Sequence, residues 1–546
     1  MDGSTTEEDS ADMTGNISAA VTGSATEQPA DKVPVRLWLG LIALALATMM
    51  HGVDATIVTV ASPTISRDLH TGLSELLWIT TGYMLAYAAS LVAVGRIGDR
   101  YGHRRIFLAG IIGFILSSVL AGLSQSIGML IAFRILQGLC GASLVPSALA
   151  ILRLTFPATK FKIAIGVFTG VFALSSAAGP SVGGIVVEYA GWRWAFFINV
   201  VIGAVAFVLT LLLIPSSAPQ DAERSLDVPG ISLLAVALSM LTLGVNQAAD
   251  EGWDGLLPIV CFVTAVLFAT LFVLRERTTR EPLLPLEIFH SRSFVAGCLL
   301  VLCASGLMFA LWFYLSLFLQ NVQGASPLRT GLELLPISVA GIAAAPLGGV
   351  LNQKVGPRPP LALGILFSLV SFYGLSRLSV GSGYGSTWPF LVTLGFSMAF
   401  TVPVGIEAVV SSAAKKVAGV ASGVAETMGS LGPALGVAAT GTAMAFIVRG
   451  DLAGRLAGAG VPAPAAALVS KSSEAIAQGS RPRLPQVAHP ELAVITRVAH
   501  QSYVQGLHTI LIAAMVVLVV FLPFTYFIKP SAPEVQRSSD PIKENV

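Results

Sequence analysis

Two charged residues stand alone in long apolar runs: Asp54 in "LWLGLIALALATMMHGVDATIVT" and Arg134 in "IGMLIAFRILQGLCGASLVPSALAI". A carboxylate and a guanidinium attract as ions, and the pair opens when the carboxylate takes a proton. A charge at the centre of a bilayer costs about 2.5–3.5 kcal/mol on insertion scales, so ionisable groups at that depth face a cavity or a partner. Asp54 and Arg134 fall at matching depths and are expected to pair. The pair reads as a proton-carrying couple or as a permanent strut between two helices. His51, one turn before Asp54, is placed to share its proton or simply to pack. Glu407 and Glu426 are the other buried-looking acids, read as coupling groups or as partners of Lys415 and Lys416; Glu333 reads as interfacial.

Other reactive patterns lack their context. Gly179-Pro180-Ser181-Val182-Gly183 has the spacing of a hydrolase nucleophile elbow, but that elbow needs a strand–turn–helix and this stretch lies inside an apolar run. The sequence is therefore not read as an enzyme. Instead Pro180 bends the run, while Gly179, Gly183 and Gly184 permit close helix contact. Cys140, Cys261, Cys298 and Cys303 lie in apolar runs without zinc-type spacing, and no phosphate-binding G-x-x-x-x-G-K-[ST] loop occurs. Neither a cofactor nor a metal is implied. A net charge of +2 gives no reason to expect a nucleic-acid partner.

The elements that must position these residues follow from composition. Of 546 residues 54% are hydrophobic and only 11% charged, against about 25% charged in an ordinary soluble domain. This is an all-α polytopic membrane protein. A helix needs about 20 apolar residues to cross the hydrocarbon. That length finds fourteen spans, near 37–59, 74–95, 105–124, 127–151, 163–187, 195–215, 229–248, 256–275, 294–319, 330–351, 359–378, 386–408, 418–447 and 506–528. Loops after even-numbered spans hold sixteen Lys and Arg, those after odd-numbered spans four in the short loops. Both termini are therefore expected in the cytoplasm. Residues 1–35 and 529–546 read as cytoplasmic tails, the first a disordered one rich in Ser, Thr and acid, and about 449–505 as a long extracellular loop.

The charge missing from the spans gathers in "GRIGDRYGHRR" (95–105), after span 2. A second copy, "GVLNQKVGPR" (349–358), follows span 10. Gly95, Arg100, Gly102 and Arg104 face Gly349, Lys354, Gly356 and Arg358, while Gly98 and Asp99 face Asn352 and Gln353. Duplicated helical halves are the usual build of secondary transporters. Two six-helix bundles (36–215 and 294–528) then leave spans 7 and 8, within 216–293, as an extra central pair outside both.

"GRIGDRYGHRR" resembles the cytoplasmic signature of the major facilitator superfamily. "DATIVTVASPTISRDL" (54–69), "RILQGLCGASLVP" (134–146) and "AAGPSVGGIVVEYAGWRWAFFINV" (177–200) resemble the first-, fourth- and fifth-span signatures of its fourteen-span drug:proton antiporters, the QacA/EmrB type. Cys140 stands where that family usually has glycine. The resemblance implies the major facilitator fold and proton-driven export of drugs or other amphipathic molecules across the plasma membrane. Its partners would be a small-molecule substrate, protons and the lipid bilayer, with the chain a monomer. Facilitated or proton-linked transport of a metabolite, or a non-transporting membrane scaffold, are the alternatives. Tyr83 and Tyr87, at i,i+4 spacing, and Trp312 and Phe313 are candidate walls of a substrate cavity. Gly95, Gly98, Asp99, Arg100, Gly102 and Arg104 form a candidate cytoplasmic gate, in which Asp99 would face the start of span 13.

Overall fold

The computed structural model describes residues 34–215, 227–279, 284, 286–413, 418–470, 473–480 and 489–528. The expected tails, but for Pro34 and Val35, and Lys415 and Lys416 lie outside the described residues, as do 216–226 of the linker before span 7. All secondary structure among the described residues is helical. Twelve helices are long and apolar enough to cross a membrane, and span 2, bent by 46° between Leu91 and Ala93, makes a thirteenth. The place of the remaining expected span is taken by a 33-residue helix, Ala158–Ala190.

In chain order the N-terminal half holds span 1 (Val35–Leu69), span 2 (Leu73–Tyr101), span 3 (His103–Gly122), span 4 (Ile127–Thr155), span 5 (Ala158–Ala190) and span 6 (Trp194–Leu213). Span 7 (Val228–Glu251) and span 8 (Leu256–Thr278) follow. The C-terminal half holds span 9 (Arg292–Val322), span 10 (Pro327–Val355), span 11 (Arg358–Leu375), span 12 (Trp388–Ser411), span 13 (Ala418–Gly458) and span 14 (His489–Phe521). Four of the starts carry side-chain caps that satisfy free N–H groups. Ser126, Ser291 and Ser326 accept from Met129, Phe294 and Arg329, and Asp227 accepts from Gly230.

The two halves repeat one packing scheme. Span 1 lies on 5, 2 on 4, 3 on 4, and 3 on 6; likewise 9 lies on 13, 10 on 12, 11 on 12, and 11 on 14. Between the halves, span 5 packs on span 10 and span 2 on span 13. The repeat seen in sequence recurs in geometry. Gly102 and Gly356 take φ of 92° and 83°, and each N–H bonds four residues back, to Gly98 and Asn352, at 2.8 and 2.9 Å. A side chain is strained at such φ. Two residues on, Arg104 donates to the Leu211 carbonyl at the end of span 6, and Arg358 to the Ile528 carbonyl just past span 14.

One region differs from the expected outline. Span 13 runs on to Gly458 and span 14 begins at His489, so much of the expected 449–505 loop is helix, with short helices Ala463–Ser470 and Ser473–Ala477 between. The stretch is rich in alanine, and hydropathy ends a span where charge begins although the helix continues. Span 7 packs against spans 2 and 13, and span 8 against span 7. Asn246 of span 7 donates to Thr81 of span 2, while Thr442 of span 13 donates to the Val245 carbonyl.

Candidate functional site

Asp54 and Arg134 are fully buried and joined, Nη1 to Oδ2, at 2.5 Å. Spans 1 and 4 bring them together, and spans 3 and 6 supply neutral polar groups. Gln137 and Asn199 donate to Asp54 Oδ1 at 2.9 and 2.6 Å, and both also donate to Ser118 Oγ at 2.7 and 3.2 Å. Arg134 gives further N–H bonds to Gln137 Oε1 and the Ile79 carbonyl. All five side chains are fully buried. Arg134 Nη2 and Asn199 Oδ1 find no hydrogen-bond partner among the described residues. Gln137, Asn199 and Ser118 were not singled out in the sequence. Neutral polar residues are common in apolar helices, and only the rotation of four helices makes these three converge.

Around the guanidinium the surroundings are aromatic. Its carbon sits 3.9 Å from the centre of the Tyr83 ring and 5.8 Å from that of Phe196. Tyr83 Oη lies 2.5 Å from His51 Nδ1, and the His51 ring stacks on Tyr87 at 4.3 Å and 9°. Tyr83 and Tyr87 are thus buried beside the ion pair. On the opposite half Trp312 is buried with its Nε1 unpartnered among the described residues, and Phe313 is fully buried edge-on to Tyr314.

The two further acids lie apart. Glu426 on span 13 is half-buried and within electrostatic reach of Tyr87. Glu407, read as buried, is exposed and accepts from Asn352 at 2.8 Å, because it lies on the face of span 12 that turns away from buried Ala408 and Val409. Glu333 takes a hydrogen bond from Arg329.

At the hairpin 95–105, Asp99 accepts from His103 Nε2 at 3.0 Å. A side chain on Gly98 would run into the His103 ring, 2.4 Å away, while Gly95 has nothing within 4 Å among the described residues. The space left by Gly98 thus takes a histidine of the same hairpin rather than a helix of the other half. Arg100 lies beside the Tyr101 ring. Residues 414–417, just before span 13, lie outside the described residues, and with them part of the contact expected of Asp99.

The glycines of 179–184 press span 5 onto two neighbours. A Cβ on Gly179 would overlap Thr56 Oγ1, and one on Gly183 would come 2.7 Å from Ile57 of span 1. At Gly184 it would come 2.5 Å from the Pro327 carbonyl of span 10. Ser181 donates to the Gly331 carbonyl at 3.0 Å, with Pro180 packed on Gly331 beside it, so it is a helix-packing residue. These contacts lie toward the end of the bundle away from the hairpin. There too Ser316 and Gln320 donate to the carbonyls of Thr59 and Val60, and Ser66 donates to Gln478.

A paired pseudo-repeat, a buried ion pair and glycine-packed crossing helices make a transporter's framework, and the family comparison agrees: the Major Facilitator Superfamily profile matches residues 44–437. The chain belongs to the Major Facilitator Superfamily. It is a multi-span membrane transporter rather than an enzyme. It is 37% identical to the tetracenomycin C resistance and export protein of Streptomyces glaucescens, over 93% of this chain and 94% of that one. It is 32% identical to the multidrug resistance protein Stp of Mycobacterium tuberculosis (strain CDC 1551 / Oshkosh), over 89% and 90% of the two chains. A solved bacterial homolog of the human lysosomal transporter Spinster, inward-facing and unoccupied, shares the fold with a TM-score of 0.62 at 16% identity, over 91% of this chain and 98% of that one.

Proposed function

We propose that this transporter exports drugs, antibiotics or other amphipathic small molecules across the plasma membrane in exchange for protons, acting as a monomer with both termini in the cytoplasm. The observation that carries the reading is Asp54, a fully buried carboxylate whose bonds come from one cation and two amide groups. Protonation removes the charge that balances Arg134 and frees a guanidinium already short of partners. Spans 1, 3, 4 and 6 meet at this point, so the change reaches four helices of one half. The export and resistance functions named for the relatives support the direction of transport. The basic loops support a cytoplasmic hairpin end. The contacts between halves at the other end support reading this as an inward-open arrangement. Glu426 would serve as a second acid facing the opposite half. One charge moved through 100 mV supplies about 2.3 kcal/mol, enough for roughly a fiftyfold gradient.

The test is export in proteoliposomes. Purified full-length chain should move ethidium uphill when a pH gradient is imposed, and stop when the gradient is collapsed with a protonophore. Equal transport with and without the gradient would rule out proton exchange.

A further inference from the structure

Tyr83 is held at two places. Its ring lies under Arg134, 3.9 Å from the guanidinium carbon, and its hydroxyl is 2.5 Å from His51 Nδ1. His51 is itself fixed, buried and stacked face to face between Tyr87 at 4.3 Å and Phe172 at 6.0 Å. A helix turn separates His51 from Asp54, which accepts a hydrogen bond from Nη1 at the edge of the same guanidinium. Arg134 is thus clasped between a carboxylate and a tyrosine ring, and the histidine sets where that ring stands.

We infer that His51 is a positioning residue for the Asp54 proton site, acting through Tyr83. Carrying its proton on Nε2, His51 offers Nδ1 as an acceptor to the Tyr83 hydroxyl. That bond holds the ring under Arg134, and the cation–π contact holds Arg134 against Asp54. With the acceptor gone the ring swings free, Arg134 loses one side of its clasp, and the carboxylate gives way to a proton more readily. The titratable and charged groups around His51 are Tyr83 and Tyr87 on span 2, Arg134 on span 4 and Asp54 on its own helix. Glu426 of span 13 reaches this set through Tyr87, and span 5 contributes the ring of Phe172.

The inference rests on the proton-exchange reading, and one experiment separates the two. Infrared spectra of the purified full chain in lipid nanodiscs are titrated with pH, and the protonated-carboxyl band of Asp54 is the one that Asp54→Asn removes. Tyr83→Phe deletes one oxygen, and His51→Phe keeps the stacked ring without the acceptor. Each should raise the proton affinity read from that band about tenfold, the lower end of what loosening an opposite charge does to a carboxylate. The double variant should go no further, because both changes cut the same bond. His51→Gln, whose carbonyl can still accept from Tyr83, should return the curve toward the wild type. A band that titrates in the wild type and does not move in Tyr83→Phe, or shifts that add in the double variant, would overturn the inference alone. An Asp54 band that never titrates would overturn both.

Discussion

The two halves of the bundle share their joints and differ in what they bury. Each turns its 2–3 or 10–11 hairpin on a glycine at positive φ and anchors it with an arginine to a carbonyl at or just past the last helix of its own half. Four helix pairs pack the same way in each. Where spans 3 and 4 bury Ser118, Arg134 and Gln137 around Asp54, spans 11 and 12 bury a bond between the hydroxyls of Ser368 and Ser397, with Thr401 donating back to Ser397. Span 14 is tied to span 9 by Tyr503, which donates to the Tyr314 carbonyl. Among the described residues the fully buried ion pair belongs to the N-terminal half, while Glu333, the buried acid of the C-terminal half, pairs with the exposed Arg329.

The largest expected effect tests that asymmetry directly. Asp54→Asn should abolish gradient-driven ethidium export and lower thermal stability, since an unpaired buried Arg134 costs about 3–5 kcal/mol. Uphill export at wild-type rates in that variant would end the comparison. Next comes the seam between halves. Gly184→Ala puts a methyl group against the Pro327 backbone, 2.5 Å away, where no side chain can yield. Overpacking of that kind costs about 1–3 kcal/mol, so spin-label distances between the ends of spans 5 and 10 away from the hairpin should lengthen. Gly183→Ala meets Ile57 of span 1, its side chain at 2.7 Å and its carbonyl at 3.3 Å, and none of its nearest atoms belongs to span 10, so it should change them less.

The shared joints make a symmetric prediction. Gly102→Ala and Gly356→Ala should each cost about 1–2 kcal/mol, because both residues sit at a φ that side chains avoid. Melting temperatures that fall in one variant and not the other would show the repeat to be one of sequence only. The smallest effect is expected at Ser368→Ala, about 1 kcal/mol for one lost hydrogen bond. Its export should keep the wild-type dependence on the pH gradient.

How much of this could be read from the sequence depended on charge. Asp54 and Arg134 stand out because nothing else in their runs is charged, and equal depth pairs them. The hairpin repeat is legible because glycine and arginine have fixed tasks at a helix end. Gln137, Asn199 and Ser118 are silent in one dimension, since hydropathy ignores which way a helix is turned. Glu407 misleads for the same reason: it lies with Pro403 and Ser411 on an exposed face of span 12, while Ala408 and Val409 beside it are buried. The helical extensions of spans 13 and 14 are hidden because Arg449, Asp451 and Arg455, and Glu491, Arg497 and His500, interrupt the hydropathy while the helix continues. The place of span 7 between spans 2 and 13 is a matter of tertiary packing, which no periodicity encodes.

That placement has a consequence for molecules dissolved in lipid. The halves meet along two flanks, spans 5 with 10 and spans 2 with 13. Span 7 covers the second flank and holds both of its sides, through Asn246 and the Val245 carbonyl, and span 8 backs it with an apolar surface. The protein therefore shows the surrounding membrane two unlike faces. Among the described residues one is a two-helix boundary closed by glycine packing, the other a boundary covered by a further layer. A hydrophobic solute drifting in from the side therefore meets one layer of helix from one direction and two from the other.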